Sequence, residues 1–129
     1  MQPIRVVIAD DSSEFIEVAR NCLADITGIE VVGCAPSGPK LLEMIRDEPA
    51  DLAFVDLVMP GMNGLAAAHL LKSLDPRLKV VVMSLFDDPR LATHVGTVGA
   101  DGFIAKQYFV IELPPLLHKL FGDAAPVLA

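Results

Sequence analysis

Five short, β-rich apolar runs alternate with five helical stripes along this chain, and that alternation restricts the fold more than any other feature. The runs are Ile4 to Ala9, interrupted only by Arg5, then Ile29 to Ala35, Leu52 to Val55, Val80 to Met83 and Phe103 to Ala105. Between and after them, apolar residues recur at helical spacing. The stripes run through Phe15, Val18, Ala19, Cys22, Leu23 and Ile26, through Leu41, Met44 and Ile45, and through Ala67, Leu70, Leu71 and Leu74. Two more follow, at Leu91, Ala92, Val95 and Val98 and at Leu113, Leu116, Leu117 and Leu120. Strands apolar on both faces that alternate with helices imply a parallel sheet covered on both sides. The expected fold is therefore α/β: five βα units in one doubly wound domain.

Turn chemistry punctuates the pattern. Thr27-Gly28 closes the first helical stripe, Pro36, Gly38 and Pro39 precede the second, and Met59 to Gly64 forms a loop. Gly99 ends the fourth stripe. Pro114 and Pro115 fall within the last one, where Pro114 would lack the N–H that a helix interior needs. A later helix start, with both prolines in the first turn, resolves the conflict. The domain is expected over residues 1–122, with 123–129 a tail or the start of a linker.

Composition narrows the function classes. A length of 129 residues with 53% hydrophobic residues suits one cored domain and argues against disorder of the whole chain. No apolar run is long enough to span a membrane, and the chain enters a strand without a signal-peptide pattern, so a cytoplasmic location is expected. A net charge of −7 without a basic cluster argues against a direct grip on nucleic acid by this segment. Cys22 and Cys34, the two cysteines, read as buried free thiols of a reducing compartment.

Polar residues punctuate the strands at one end only. Asp10 and Asp11 follow the first, Asp56 the third, Ser84 the fourth and Lys106 the fifth. Ligands bind open parallel sheets outside the carboxyl ends of the strands, where strand order reverses. With the order 2-1-3-4-5, that point unites Asp10, Asp11 and Asp56, with Ser84 and Lys106 beyond them. Three adjacent carboxylates repel one another, and a hard divalent cation such as Mg²⁺ relieves this. Such a cation also neutralises phosphoryl oxygens, Lys106 and Ser84 offer a charge and a donor, and an aspartate that attacks phosphorus yields an acyl phosphate.

At these residues the sequence resembles the receiver domain of two-component response regulators, whose fold is flavodoxin-like. The matching pieces are Ile8-Ala9-Asp10-Asp11, Val55 to Gly64, Val82-Met83-Ser84 and Gly99 to Lys106. Ser84 to Pro89 further resembles receivers of the NarL/FixJ/LuxR type, which sit on helix-turn-helix transcription regulators. The resemblance implies that Asp56 accepts a phosphoryl group from a sensor histidine kinase. It implies that Asp11, Asp56 and the Val58 carbonyl bind Mg²⁺ directly and that Asp10 acts through a water. Ser84 and Lys106 would hold phosphoryl oxygens. Phe103 matches a switch aromatic that turns inward when Ser84 moves, altering the surface of the fourth helix, fifth strand and fifth helix. A homodimer is compatible with the resemblance, and the paired prolines leave its mode open.

Each residue also has a plainer reading. Asp11 with Glu14 fits a helix N-cap, Asp56 alone fits an Asx turn, and Lys106 fits a salt bridge that holds Asp56. Phe103 alone reads as core. His69, His94 and His118 lack metal spacing and read as surface residues, and Asp87-Asp88 reads as the cap of the fourth helix. Departures from the family pattern are Gln107 after the lysine, Phe103 in place of tyrosine, a bulky Leu85, and the loop Pro36 to Pro39 without an acidic residue. Without a proline at 107, a cis bond there would cost about 3 kcal/mol and is not expected. Val58 and Phe86 are apolar where a water would approach the phosphoaspartate, which implies slow self-dephosphorylation.

Other classes weigh less. An aspartyl phosphatase usually carries a second acid two residues after the nucleophile, where Val58 stands. A flavin module would need a Gly/Ser/Thr-rich loop after the first strand. A stand-alone receiver, acting as phosphorelay carrier or docking switch, remains the alternative to a transcription regulator.

Overall fold

The computed structural model describes residues 2–122. Its elements are β1 (Ile4–Ala9), α1 (Ser13–Ala24), β2 (Ile29–Ala35), α2 (Gly38–Asp47), β3 (Leu52–Asp56), α3 (Gly64–Leu74), β4 (Lys79–Ser84), α4 (Pro89–Thr97), β5 (Gly102–Ala105) and α5 (Phe109–Phe121). A single 3-10 turn, Lys106–Tyr108, joins β5 to α5. All strand pairs are parallel and the order is β2-β1-β3-β4-β5, as expected. The expected tail at 123–129 lies outside the described residues.

Strand periodicity assigns the two faces. Val6 and Ile8, Leu52 and Phe54, and Val81 and Met83 pack with Ala19 and Leu23 of α1 and Phe109, Leu113 and Leu117 of α5. Their neighbours Val7 and Ala9, Ala53 and Val55, and Val80 and Val82 pack with α2, α3 and α4 through Leu41, Ile45, Ala67, Leu71 and Val95. The sheet is thus sealed on both sides, and its polar residues are confined to the strand ends.

Four local expectations need correction. The last helix does not begin late: α5 spans Phe109–Phe121 with Pro114 and Pro115 inside it. The two missing N–H donors would have served the carbonyls of Val110 and Ile111, residues that face solvent. Burial of Phe109, Leu113 and Leu117 on the inner face outweighs that loss. The cap of α1 is Ser12, whose hydroxyl accepts from the Phe15 N–H at 3.2 Å, and this leaves Asp11 free of that role. Thr27-Gly28 does not close α1, which stops at Ala24, with Asp25 as its cap. Cys22 and Cys34 are free but only half-buried. Asp88 caps α4 by accepting from the Arg90 N–H, and the three histidines are exposed, both as expected. No cis peptide bond occurs among the described residues.

Candidate functional site

Asp10 leaves β1 with its N–H donating to Ala35 O, and its carboxylate Oδ1 accepts from the Ser12 N–H at 2.8 Å. Asp56 is the last residue of β3. Its Oδ1 accepts from the Val58 N–H at 3.4 Å, so the plainer Asx-turn geometry exists and coexists with the rest of the site. The loop after it is pinned at both ends: Leu57 N–H donates to Met83 O, and Gly64 N–H donates to Leu57 O. Gly64 has to lack a side chain, because a Cβ there would lie 2.3 Å from the Asp56 carbonyl oxygen. The start of α3 therefore presses directly on the backbone of Asp56.

Lys106 crosses from the end of β5 to meet both acids. Its Nζ stands 2.7 Å from Asp10 Oδ2 and 3.2 Å from Asp56 Oδ2, with the lysine side chain 7% exposed. Asp10 Oδ2 is buried, yet no donor reaches it in hydrogen-bonding geometry. Its close partner is the Lys106 ammonium, which has to serve both acids. Ser84, buried at the end of β4, accepts from the Phe86 N–H at 3.0 Å. Asp11, Asp56, Val58, Ser84 and Lys106 line one cleft of about 720 Å³, rimmed by the exposed side chains of Val58, Leu85 and Phe86.

One ammonium faces more negative charge than it can cancel. Burial, and after it the charge of Asp10, pushes the Asp56 carboxyl above the ordinary carboxylate range, against the opposing pull of Lys106 and the Val58 N–H. Carboxylate oxygens of Asp10, Asp11 and Asp56 lie within 4.8 Å of one another, which is an all-oxygen cluster able to hold a metal ion. The Asp10 Oδ2 at its buried edge fits a hard cation.

The structure brings together Asp10, Asp11, Asp56, Ser84 and Lys106, as the strand ends imply. Phe103 does not join them. It is half-buried on the α4 side of β5, paired with Val82, and borders a separate cavity of about 330 Å³ with Val95, Gly96 and Lys119. One participant was hidden in the sequence. Phe15 lines the cleft and lies under Lys106, although its spacing marks it only as part of the α1 stripe. Its place in the first turn of α1, three residues after the Ser12 cap, is the signal that could have located it.

Comparison with known proteins agrees with this geometry. Residues 6–117 match the family described as response regulator receiver domain. The chain is 31% identical over 119 residues to response regulator GacA of Pseudomonas aeruginosa, covering 92% of this chain and 56% of GacA. It is 35% identical over 104 residues to transcriptional regulatory protein DegU of Brevibacillus brevis, covering 81% of this chain and 44% of DegU. The chain thus spans about half the length of these curated relatives. The signal receiver domain of the response regulator NarL from Mycobacterium tuberculosis superposes with a TM-score of 0.82 at 30% identity, covering 95% of this chain and all of that one. A parallel sheet in the order 2-1-3-4-5, acids and a lysine gathered at its carboxyl end, and a match over nearly all the described residues lead to one conclusion: the chain belongs to the response regulator receiver domain family.

Proposed function

We propose that this receiver is a phosphorylation-controlled switch in which Asp56 accepts a phosphoryl group from a phosphohistidine of a sensor kinase. The observation that carries the reading is the buried Asp10–Asp56–Lys106 group, in which one ammonium serves two buried carboxylates beside a third. An Asp56 carboxylate oxygen attacks phosphorus, the O–P bond forms as the P–N bond breaks, and the imidazole nitrogen keeps the electron pair. Mg²⁺, when bound, neutralises the phosphoryl oxygens. Asp11, Asp56 and the Val58 carbonyl would hold it, with Asp10 acting through a water. Lys106 and Ser84 hold phosphoryl oxygens, the Ser84 hydroxyl donating its proton to one while its oxygen still accepts from the Phe86 N–H.

The output follows from the β4–β5 edge. Movement of Ser84 towards the phosphoryl group would clear space into which Phe103 turns. The affected surface is α4, β5 and α5. We assign the chain to the regulatory part of a helix-turn-helix transcription regulator, in line with relatives about twice its length that include a transcriptional regulatory protein. A stand-alone phosphorelay carrier or docking switch is the competing arrangement, and the length of the native reading frame separates the two. The exposed, apolar Val58 and Phe86 cannot orient an attacking water, so self-dephosphorylation is slow.

Incubation with acetyl phosphate and Mg²⁺, read by intact mass, tests the reading. One phosphoryl group should add to the wild-type chain and none to Asp56→Asn. No adduct on the wild type, or an adduct that survives the substitution, overturns it.

A further inference from the structure

Lys106 has a third neighbour besides the two acids. Its Nζ lies 4.8 Å from the centroid of the Phe15 ring, over the ring face, at cation–π distance. That ring is braced from behind. The Phe15 and Phe109 centroids are 5.5 Å apart with planes at 89°, and the Phe109 and Phe54 centroids are 5.2 Å apart at 61°. Phe54 and Phe109 are fully buried, so β3 and α5 fix the orientation of a ring carried by α1. Lys106 therefore sits between two carboxylates and a rigid aromatic face.

The carboxylates alone are a poor anchor for this lysine. Its shorter contact is to Asp10, not to Asp56. A dication held by the acidic cluster would compete for the Asp10 charge and repel the ammonium. The lysine has a flexible four-carbon stem and an open cleft to swing into. The ring face attracts the ammonium whatever the state of the acids. We propose that Phe15 is the positioning residue for Lys106, keeping its ammonium beside Asp56 when the carboxylates are engaged by a cation and a phosphoryl group. This rests on the reading of Asp56 as a phosphoryl acceptor.

Two readouts test it. In proton NMR spectra, the Lys106 ε-methylene resonances should be shifted upfield by the Phe15 ring, stay shifted at saturating Mg²⁺, and lose the shift in Phe15→Leu. Fluorinated phenylalanines at position 15 preserve shape while weakening the ring face. Along that series the rate of adduct formation from acetyl phosphate should fall stepwise, by roughly fivefold for the pentafluoro ring, while Phe15→Tyr keeps the wild-type rate. A flat rate along the series, or resonances that return to unshifted positions when Mg²⁺ binds, overturns the proposal. A wild-type chain that takes no phosphoryl group refutes the acceptor reading instead, and the resonances still decide whether the ring holds the lysine against Mg²⁺.

Discussion

The two ends of the sheet each carry a lysine set against aspartate, and they resolve their charges in opposite ways. At the amino end, Lys72 of α3 donates to Asp101 Oδ2 at 3.0 Å, to Pro76 O at 3.0 Å and to Leu78 O at 2.9 Å. Asp101 Oδ2 also accepts from the Val80 N–H, so one charge meets one charge and all three lysine donors are used. At the carboxyl end, one ammonium faces two buried carboxylates and an exposed third, and it meets Asp10 Oδ2 outside hydrogen-bonding geometry. The satisfied pair ties α3 to the starts of β4 and β5 and can do nothing else. The unsatisfied group leaves room for a cation and a ligand.

Removing each lysine is the sharpest way to break that contrast. Lys106→Met should destabilise the chain by about 3 kcal/mol in the absence of divalent cations, because it strands two buried acids. Mg²⁺ should restore more than half of the loss, measured as the urea unfolding midpoint with and without the ion. A loss indifferent to Mg²⁺ would make the carboxyl end as purely structural as the amino end. Lys72→Met should cost about 2 kcal/mol, since two carbonyls lose their donor while Asp101 keeps the Val80 N–H. That loss should not respond to Mg²⁺, and phosphoryl uptake should stay at the wild-type level. Altered uptake would show that the two ends are coupled.

Asp56→Asn probes the surplus charge directly. Burial and the neighbouring Asp10 both disfavour the ionised Asp56 carboxyl, so its neutral amide should stabilise the cation-free fold, raising its melting temperature. Differential scanning calorimetry in chelator measures this. A destabilised variant would mean that Lys106 already compensates both acids in full.

The sequence shows one end of the sheet far better than the other. Asp10, Asp56, Ser84 and Lys106 stand out because each interrupts or ends an apolar run, and the parallel topology converts that shared position into proximity. Lys72 and Asp101 interrupt nothing and lie 29 residues apart, so their pairing is invisible before folding. The strands were readable to within a residue or two because the sheet is apolar on both faces. The start of α5 was not, since local proline chemistry argues for delay while long-range burial of Phe109 decides otherwise. Phe15 shows a subtler limit. Helical spacing says that it points inward, but not that it ends beneath an ammonium at the lip of the cleft.

The smallest expected effect concerns how long the charged state at the carboxyl end lasts. The amino-end pair is enclosed by its own hydrogen bonds, whereas the acceptor cleft opens to solvent between Val58, 72% exposed, and Phe86, 70% exposed. Water reaches this mouth freely, yet neither side chain can accept a hydrogen bond from it, so access without orientation governs the decay. Val58→Asn adds an amide that can align the attacking water and should speed loss of the phosphoryl group on the order of fivefold, well short of full general-base catalysis. The decay of the phosphorylated chain after removal of acetyl phosphate gives the rate. A much slower decay in the variant would mean that side-chain bulk at the mouth, not its lack of polarity, sets the lifetime.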